Sequence, residues 1–155
     1  MDTSLGPILV VEDDQDHALL IRSVFQRRSL GAVMRVASTG QEALDYLEGI
    51  PPYDDRAEYP LPAVIILDLG LPDMNGFDLL RWLCASEEHS DIPVIVFTSS
   101  TNPEDAWMAY ALGARAYKTK PAQFGELVDV VRDVLGKWLG PSNLDSGDDD
   151  IGQVS

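Results

Sequence analysis

Apolar runs of strand length recur at residues 8–11, 33–37, 64–67 and 94–97, with a shorter one at 114–117. Several lack strict alternation of apolar and polar positions. Continuous Val, Ile and Leu runs suit strands buried on both faces, as in a parallel sheet covered by helices. Between them, apolar residues recur with the 3.6-residue period of a helix, so the chain reads as strand then helix five times over. Short connections then imply right-handed crossovers and a doubly wound α/β sheet.

The helix starts are chemically marked. Thr39-Gly40-Gln41-Glu42 has capping-box spacing ahead of Ala43, Leu44 and Leu47, so threonine and glutamate can satisfy each other's backbone donors. Asn102-Pro103-Glu104-Asp105 supplies an N-cap, a first-turn proline and acids at the positive end of the helix dipole. The last helix repeats apolar residues at Phe124, Leu127, Val128, Val131, Leu135 and Trp138, and Val130 and Val134 widen the stripe. Core packing accounts for most of that stripe, and the excess fits a partner surface.

Residues 50–62 hold four prolines and three acids and read as an irregular insertion. Residues 141–155 are polar, carry four aspartates and no basic residue, and read as a disordered tail. The expected organisation is one domain over 1–140 followed by this tail. With 155 residues, 45% of them apolar, one core is expected. The single cysteine, Cys84, has no partner for an internal disulfide. With no secretory leader pattern and no apolar run long enough to span a bilayer, the reading is a soluble cytoplasmic protein. A formal charge of −15 opposes binding to phosphate backbones, so direct nucleic-acid binding is not expected.

The positions of the acids say more than their number. Glu12, Asp13 and Asp14 follow the first strand, and Asp68 closes the third. In a sheet of order 2-1-3-4-5, strands one and three are neighbours, and their carboxyl ends form the switch point where ligands bind. Clustered carboxylates repel unless a cation sits among them, and oxygen-only ligands favour a hard ion such as Mg2+ or Mn2+. Glu12 to Asp14 also read as a helix cap, with Asp14 the cap itself. Asp68 is harder to explain structurally, because an acid after four apolar strand residues is expensive without a purpose. Strand four ends in Thr98-Ser99-Ser100, offering hydroxyls. The fifth run leads into Lys118-Thr119-Lys120-Pro121, offering ammonium groups. Metal, Thr98 hydroxyl and Lys120 ammonium can each hold an oxygen of a phosphoryl group on Asp68.

The pattern resembles the receiver domain of bacterial two-component response regulators over approximately residues 8–139. The motifs are Val10-Val11-Glu12-Asp13, Leu67-Asp68-Leu69-Gly70-Leu71-Pro72-Asp73-Met74-Asn75-Gly76, residues 93–98, and Gly113-Ala114-Arg115-Ala116-Tyr117-Lys118-Thr119-Lys120-Pro121. The resemblance implies a flavodoxin-like (βα)5 fold of order 2-1-3-4-5 with Asp68 as phosphoacceptor from a sensor kinase histidine. It implies metal held by Asp13, Asp68 and the Gly70 carbonyl, with Glu12 acting through water. Lys120 would contact the phosphoryl group, with a cis bond to Pro121, while Thr98 and Tyr117 form the switch. Signalling would run through protein contacts, by dimerisation on the face of helix four, strand five and helix five, by relay to a histidine phosphotransfer protein, or by binding a target. No substrate turnover of its own is expected, and no DNA-binding domain is expected after residue 140.

Gly70 and Ser100 stand where the family carries side chains that tune dephosphorylation. The insertion and the run from Ser99 to Asp105, with Ala109-Tyr110 following, are similar to stand-alone regulators that serve bacterial phytochrome kinases. Three rival functions fit the sequence less well. An aspartyl-phosphate phosphatase needs an acid two residues after its nucleophile, where Gly70 stands. A flavin carrier needs a first loop that welcomes phosphate, which Glu12-Asp13-Asp14 repels. A scaffold that is never phosphorylated leaves the full set Glu12, Asp13, Asp68, Thr98 and Lys120 unexplained. His17 and His89 read as incidental exposed helix residues, and Cys84 as a packing residue.

Overall fold

The computed structural model describes residues 6–28 and 33–139. Five strands, β1 (Ile8–Val11), β2 (Met34–Ala37), β3 (Val64–Leu67), β4 (Val94–Thr98) and β5 (Ala116–Thr119), alternate with five helices. The helices are α1 (Gln15–Arg28), α2 (Gly40–Glu48), α3 (Gly76–Ala85), α4 (Pro103–Leu112) and α5 (Phe124–Leu139). All the strand pairs are parallel and the order is β2-β1-β3-β4-β5, as the sequence implies. The flavodoxin-like reading therefore holds.

The unbroken apolar strands separate into two faces once folded. Ile8, Val10, Val64, Ile66, Ile95 and Phe97 pack with residues of α1 and α5, including Ile21, Phe25, Val131 and Leu135. Leu9, Val11, Ile65, Leu67, Val94 and Val96 point the other way, against Leu47 of α2 and Leu79, Leu80 and Leu83 of α3. The stripe of α5 is mostly core, since Val131, Val134 and Leu135 are buried. Val134 thus belongs to the interior and does not widen an outer face, whereas Phe124, at the helix start, is exposed. The side chain of Trp138 lies outside what the structure describes, as does the expected tail 141–155.

Local chemistry explains where the elements stop. Thr39 accepts from the Glu42 N–H at 3.0 Å, but the Glu42 carboxylate returns to the Ser38 N–H, one residue before the expected partner. Asn75 caps α3 and Asn102 caps α4, accepting from the Phe77 and Glu104 N–H groups. Gly113 ends α4 at φ 118, a left-handed conformation that favours glycine. Ala114 and Arg115 are then used in reaching the sheet, so the fifth strand begins two residues later than the apolar run suggests. The 50–62 segment has no strand or helix. Even so, it is tied down: the Tyr46, Tyr53 and Tyr59 rings meet tilted or edge-to-face with centroids 5.2–6.0 Å apart, and the Arg56 guanidinium donates to the Tyr46, Leu47 and Tyr59 carbonyls.

Candidate functional site

The parallel register delivers the predicted residues to one sheet edge. Val11 is level with Leu67 across β1 and β3, so Glu12 and Asp68 emerge side by side, and the Asp68 N–H donates to the Val11 carbonyl at 3.0 Å. The Lys120 N–H donates to the Thr98 carbonyl at 2.7 Å, which draws β4 and β5 to the same rim. Glu12, Asp68, Thr98 and Lys120 are all buried, while Asp13 stays exposed at the mouth. Asp14 points away and caps α1 by accepting from the Asp16 N–H at 2.9 Å and the His17 N–H at 3.2 Å. Gly76 allows the start of α3 to close on this edge: a Cβ there would lie 2.5 Å from Leu69 Cα and 2.9 Å from the Asp68 carbonyl oxygen.

Lys120 is the electrostatic centre. Its Nζ lies 2.6 Å from Glu12 Oε1 and 3.0 Å from Asp68 Oδ2, and 5.7 Å from the centroid of the Phe97 ring. Burial pushes the Glu12 carboxyl up to about 7, Lys120 only partly opposing it and the Asp68 charge adding to it. Burial also pushes Asp68 upward, but the Lys120 charge, the Gly70 N–H at 3.2 Å and hydrogen bonding from Lys120 and Glu12 outweigh it. Asp68 therefore ends below the ordinary carboxyl value. Two neighbouring acids are driven apart, leaving Asp68 the one that holds its charge more readily.

Ligand atoms of Glu12, Asp13 and Asp68 lie within 4.8 Å of one another. Three carboxylates around a single point, one of them raised by burial, fit a hard divalent cation. Gly70 follows two residues after Asp68, and a Cβ added to it would meet nothing within 4 Å.

Thr98 is buried, and its Oγ1 accepts from the Ser100 N–H at 3.4 Å. Ser100 donates its hydroxyl to Asp105 and accepts from the Asn102 N–H, tying the β4–α4 loop to its helix. Behind the loop, the Tyr117 hydroxyl is buried with no hydrogen-bond partner among the described residues. Burial raises its pKa, with nearby Ser100 working against this and the Asp105 charge adding to it. A buried hydroxyl with no partner is costly, so Tyr117→Phe should leave stability unchanged or raise it by about 1 kcal/mol. Urea unfolding of the two proteins checks this, and a loss above that size would mean the hydroxyl has a partner.

Three expectations need correction. The cis bond before Pro121 is not found; among the described residues the cis peptide is Pro51–Pro52. The intrinsic preference at X-Pro is small, so the fold decides it, and Lys120 reaches both acids without a cis bond. His89 is neither helical nor exposed: it is buried in the turn after α3, stacked on Trp82, with Nδ1 2.8 Å from Ser86 Oγ and Nε2 3.0 Å from the Leu47 carbonyl. His17 is on α1 as expected, but its Nδ1 lies 3.0 Å from Lys120 Nζ. Asp73 was also missed as a structural link. Its two oxygens accept from the Gly40 and Gln41 N–H groups at 2.8 and 2.9 Å, fastening the loop after Asp68 to the start of α2.

Residues 8–132 match the response regulator receiver domain family. The chain is 35% identical over 133 residues to the probable methanogenesis regulatory protein FilR2 of Methanothrix harundinacea, covering 86% of this chain and 83% of that protein. It is 29% identical over 132 residues to response regulator Rcp1 of Synechocystis, covering 85% and 88%. The solved structure of the phosphorylated cyanobacterial phytochrome response regulator RcpA matches with a TM-score of 0.83 at 28% identity, over 89% of this chain and 96% of that one. The Mn2+-bound form of Rcp1 matches with 0.81 at 28% identity, over 86% and 94%. With five strands in this order, an acid pair facing a buried lysine and a family match across nearly the whole described fold, the chain belongs to the response regulator receiver domain family.

Proposed function

We propose that this receiver domain takes its phosphoryl group on Asp68 from a phosphohistidine of a sensor kinase. The observation that carries the reading is a buried aspartate whose Oδ2 is held by Lys120 and Oδ1 by the Gly70 N–H. An oxygen of Asp68 forms the new bond to phosphorus as the bond from phosphorus to the imidazole nitrogen breaks, and the leaving imidazole takes that electron pair. Receiver domains bind a divalent metal; here Glu12, Asp13, Asp68 and the Gly70 carbonyl would hold Mg2+ or Mn2+, which supplies charge neutralisation at the phosphoryl oxygens. Lys120 and Thr98 complete that neutralisation from β5 and β4.

The added charge then biases the β4–α4 loop. Thr98 leaves Ser100 for the phosphoryl group, and Tyr117, already inward, packs behind it. The change is read on the face of α4, β5 and α5, where Trp107, Met108 and Tyr110 are exposed and Lys118 lies 3.8 Å from Asp133. Dimerisation through that face, or relay to a histidine phosphotransfer protein, are the outputs this surface serves. The likeness to RcpA and Rcp1 supports a bacterial phytochrome as the kinase. No helix among the described residues is long and apolar enough to cross a membrane.

Incubation with a small phosphodonor and Mg2+ should add the mass of one phosphoryl group to the wild type and none to Asp68→Asn. Equal labelling of the two proteins overturns the assignment.

A further inference from the structure

Lys120 carries three N–H donors, and the structure accounts for each of them. Glu12 Oε1 lies at 2.6 Å, Asp68 Oδ2 at 3.0 Å and His17 Nδ1 at 3.0 Å. The first two partners belong to the acid cluster already described. The third has no part in it.

An ammonium group only donates, so the contact requires a lone pair on Nδ1 and places the ring proton on Nε2. The Asp14 carboxylate, at 3.6 Å from the same nitrogen, is beyond hydrogen-bond distance. His17 projects from the first turn of α1, just past the cap that Asp14 forms, and its side chain is 31% exposed. The imidazole therefore enters the site from the opening, while both acids hold Lys120 from the sheet edge.

That position bears on the reaction. Once Asp68 becomes an acyl phosphate, the oxygen joined to phosphorus loses its charge, and Lys120 must turn one donor from Asp68 toward a phosphoryl oxygen. A lysine side chain has four rotatable bonds and wanders unless anchored. An uncharged acceptor anchors it without adding a negative charge that would repel the incoming phosphoryl group or compete for metal. We propose that His17 is a positioning residue for phosphoryl transfer, holding Lys120 Nζ beside Asp68; this rests on the reading of Asp68 as acceptor.

The test compares full-length wild type, His17→Leu, His17→Gln and Asp68→Asn with acetyl phosphate as donor at saturating Mg2+. Labelling rate, Mg2+ affinity by tryptophan fluorescence and thermal midpoint are read in parallel. Leucine keeps bulk but accepts no hydrogen bond, and His17→Leu should label about ten-fold more slowly at unchanged Mg2+ affinity and midpoint. Glutamine offers a carbonyl oxygen, and His17→Gln should recover most of the rate. Labelling of His17→Leu at the wild-type rate, or a His17→Gln protein as slow as His17→Leu, would overturn the proposal alone. So would a slowdown that follows a lowered midpoint. An unlabelled wild type, or labelling of Asp68→Asn equal to wild type, would instead overturn the Asp68 reading and this proposal with it.

Discussion

Lys120→Met is expected to destabilise the metal-free protein by roughly 3–5 kcal/mol near neutral pH, the range for removing one partner from a buried ionic cluster. Methionine is unbranched and close in length to lysine, so packing beside Phe97 is largely kept and the loss is electrostatic. What remains is Glu12 and Asp68, both buried, with their cation gone. The deficit should depend on pH. Glu12 is raised to about 7 in the fold from an ordinary 4.5, so between those values the folded state binds the extra proton and stability falls as pH rises. Without Lys120 the rise is larger. The variant should therefore recover on acidification below about 7 and lose most above it. Urea denaturation in chelator at pH 5 and pH 8 measures this, and added Mg2+ should restore part of the loss at pH 8. A loss below 1 kcal/mol, or one equal at both pH values, contradicts the role given to the ammonium.

Asp13→Asn should have the opposite profile. Asp13 is exposed, and no side-chain hydrogen bond or ion pair of its own is found among the described residues. Neutralising it removes like charge from the cluster with Glu12 and Asp68, so stability should hold or rise slightly. Phosphorylation should nevertheless fall about 100-fold, because the residue would lose its share in holding the cation that offsets charge at the phosphoryl group. Calorimetric Mg2+ titration should show weaker binding in step. A variant phosphorylated at the wild-type rate at modest Mg2+ would remove Asp13 from the metal set.

The fold was legible because strand burial writes itself in unbroken Val, Ile and Leu runs, and because Thr39 and Asn102 mark helix starts by local chemistry. The site was legible because an acid directly after an apolar strand, as at Asp68, is explained by few structural roles. Less visible were contacts made at long sequence separation. Lys120 meets His17 across 103 residues, Asp73 meets Gly40 across 33, and His89 meets Leu47 across 42. No periodicity records such pairs. His89 was misread for that reason: a lone histidine in a polar stretch gives no sign of a buried carbonyl waiting at the end of α2. The fifth strand starts later than expected because Ala114 and Arg115 serve as the link after a left-handed glycine.

In the proposed function one particular carboxylate, that of Asp68, carries the phosphoryl group. Borohydride reduction of the phosphorylated protein, followed by peptide mass spectrometry, converts the acyl phosphate to an alcohol and marks its residue. The mark is predicted on Asp68 alone; a mark on Asp13, Asp73 or any other acid, with Asp68 intact, would contradict the account.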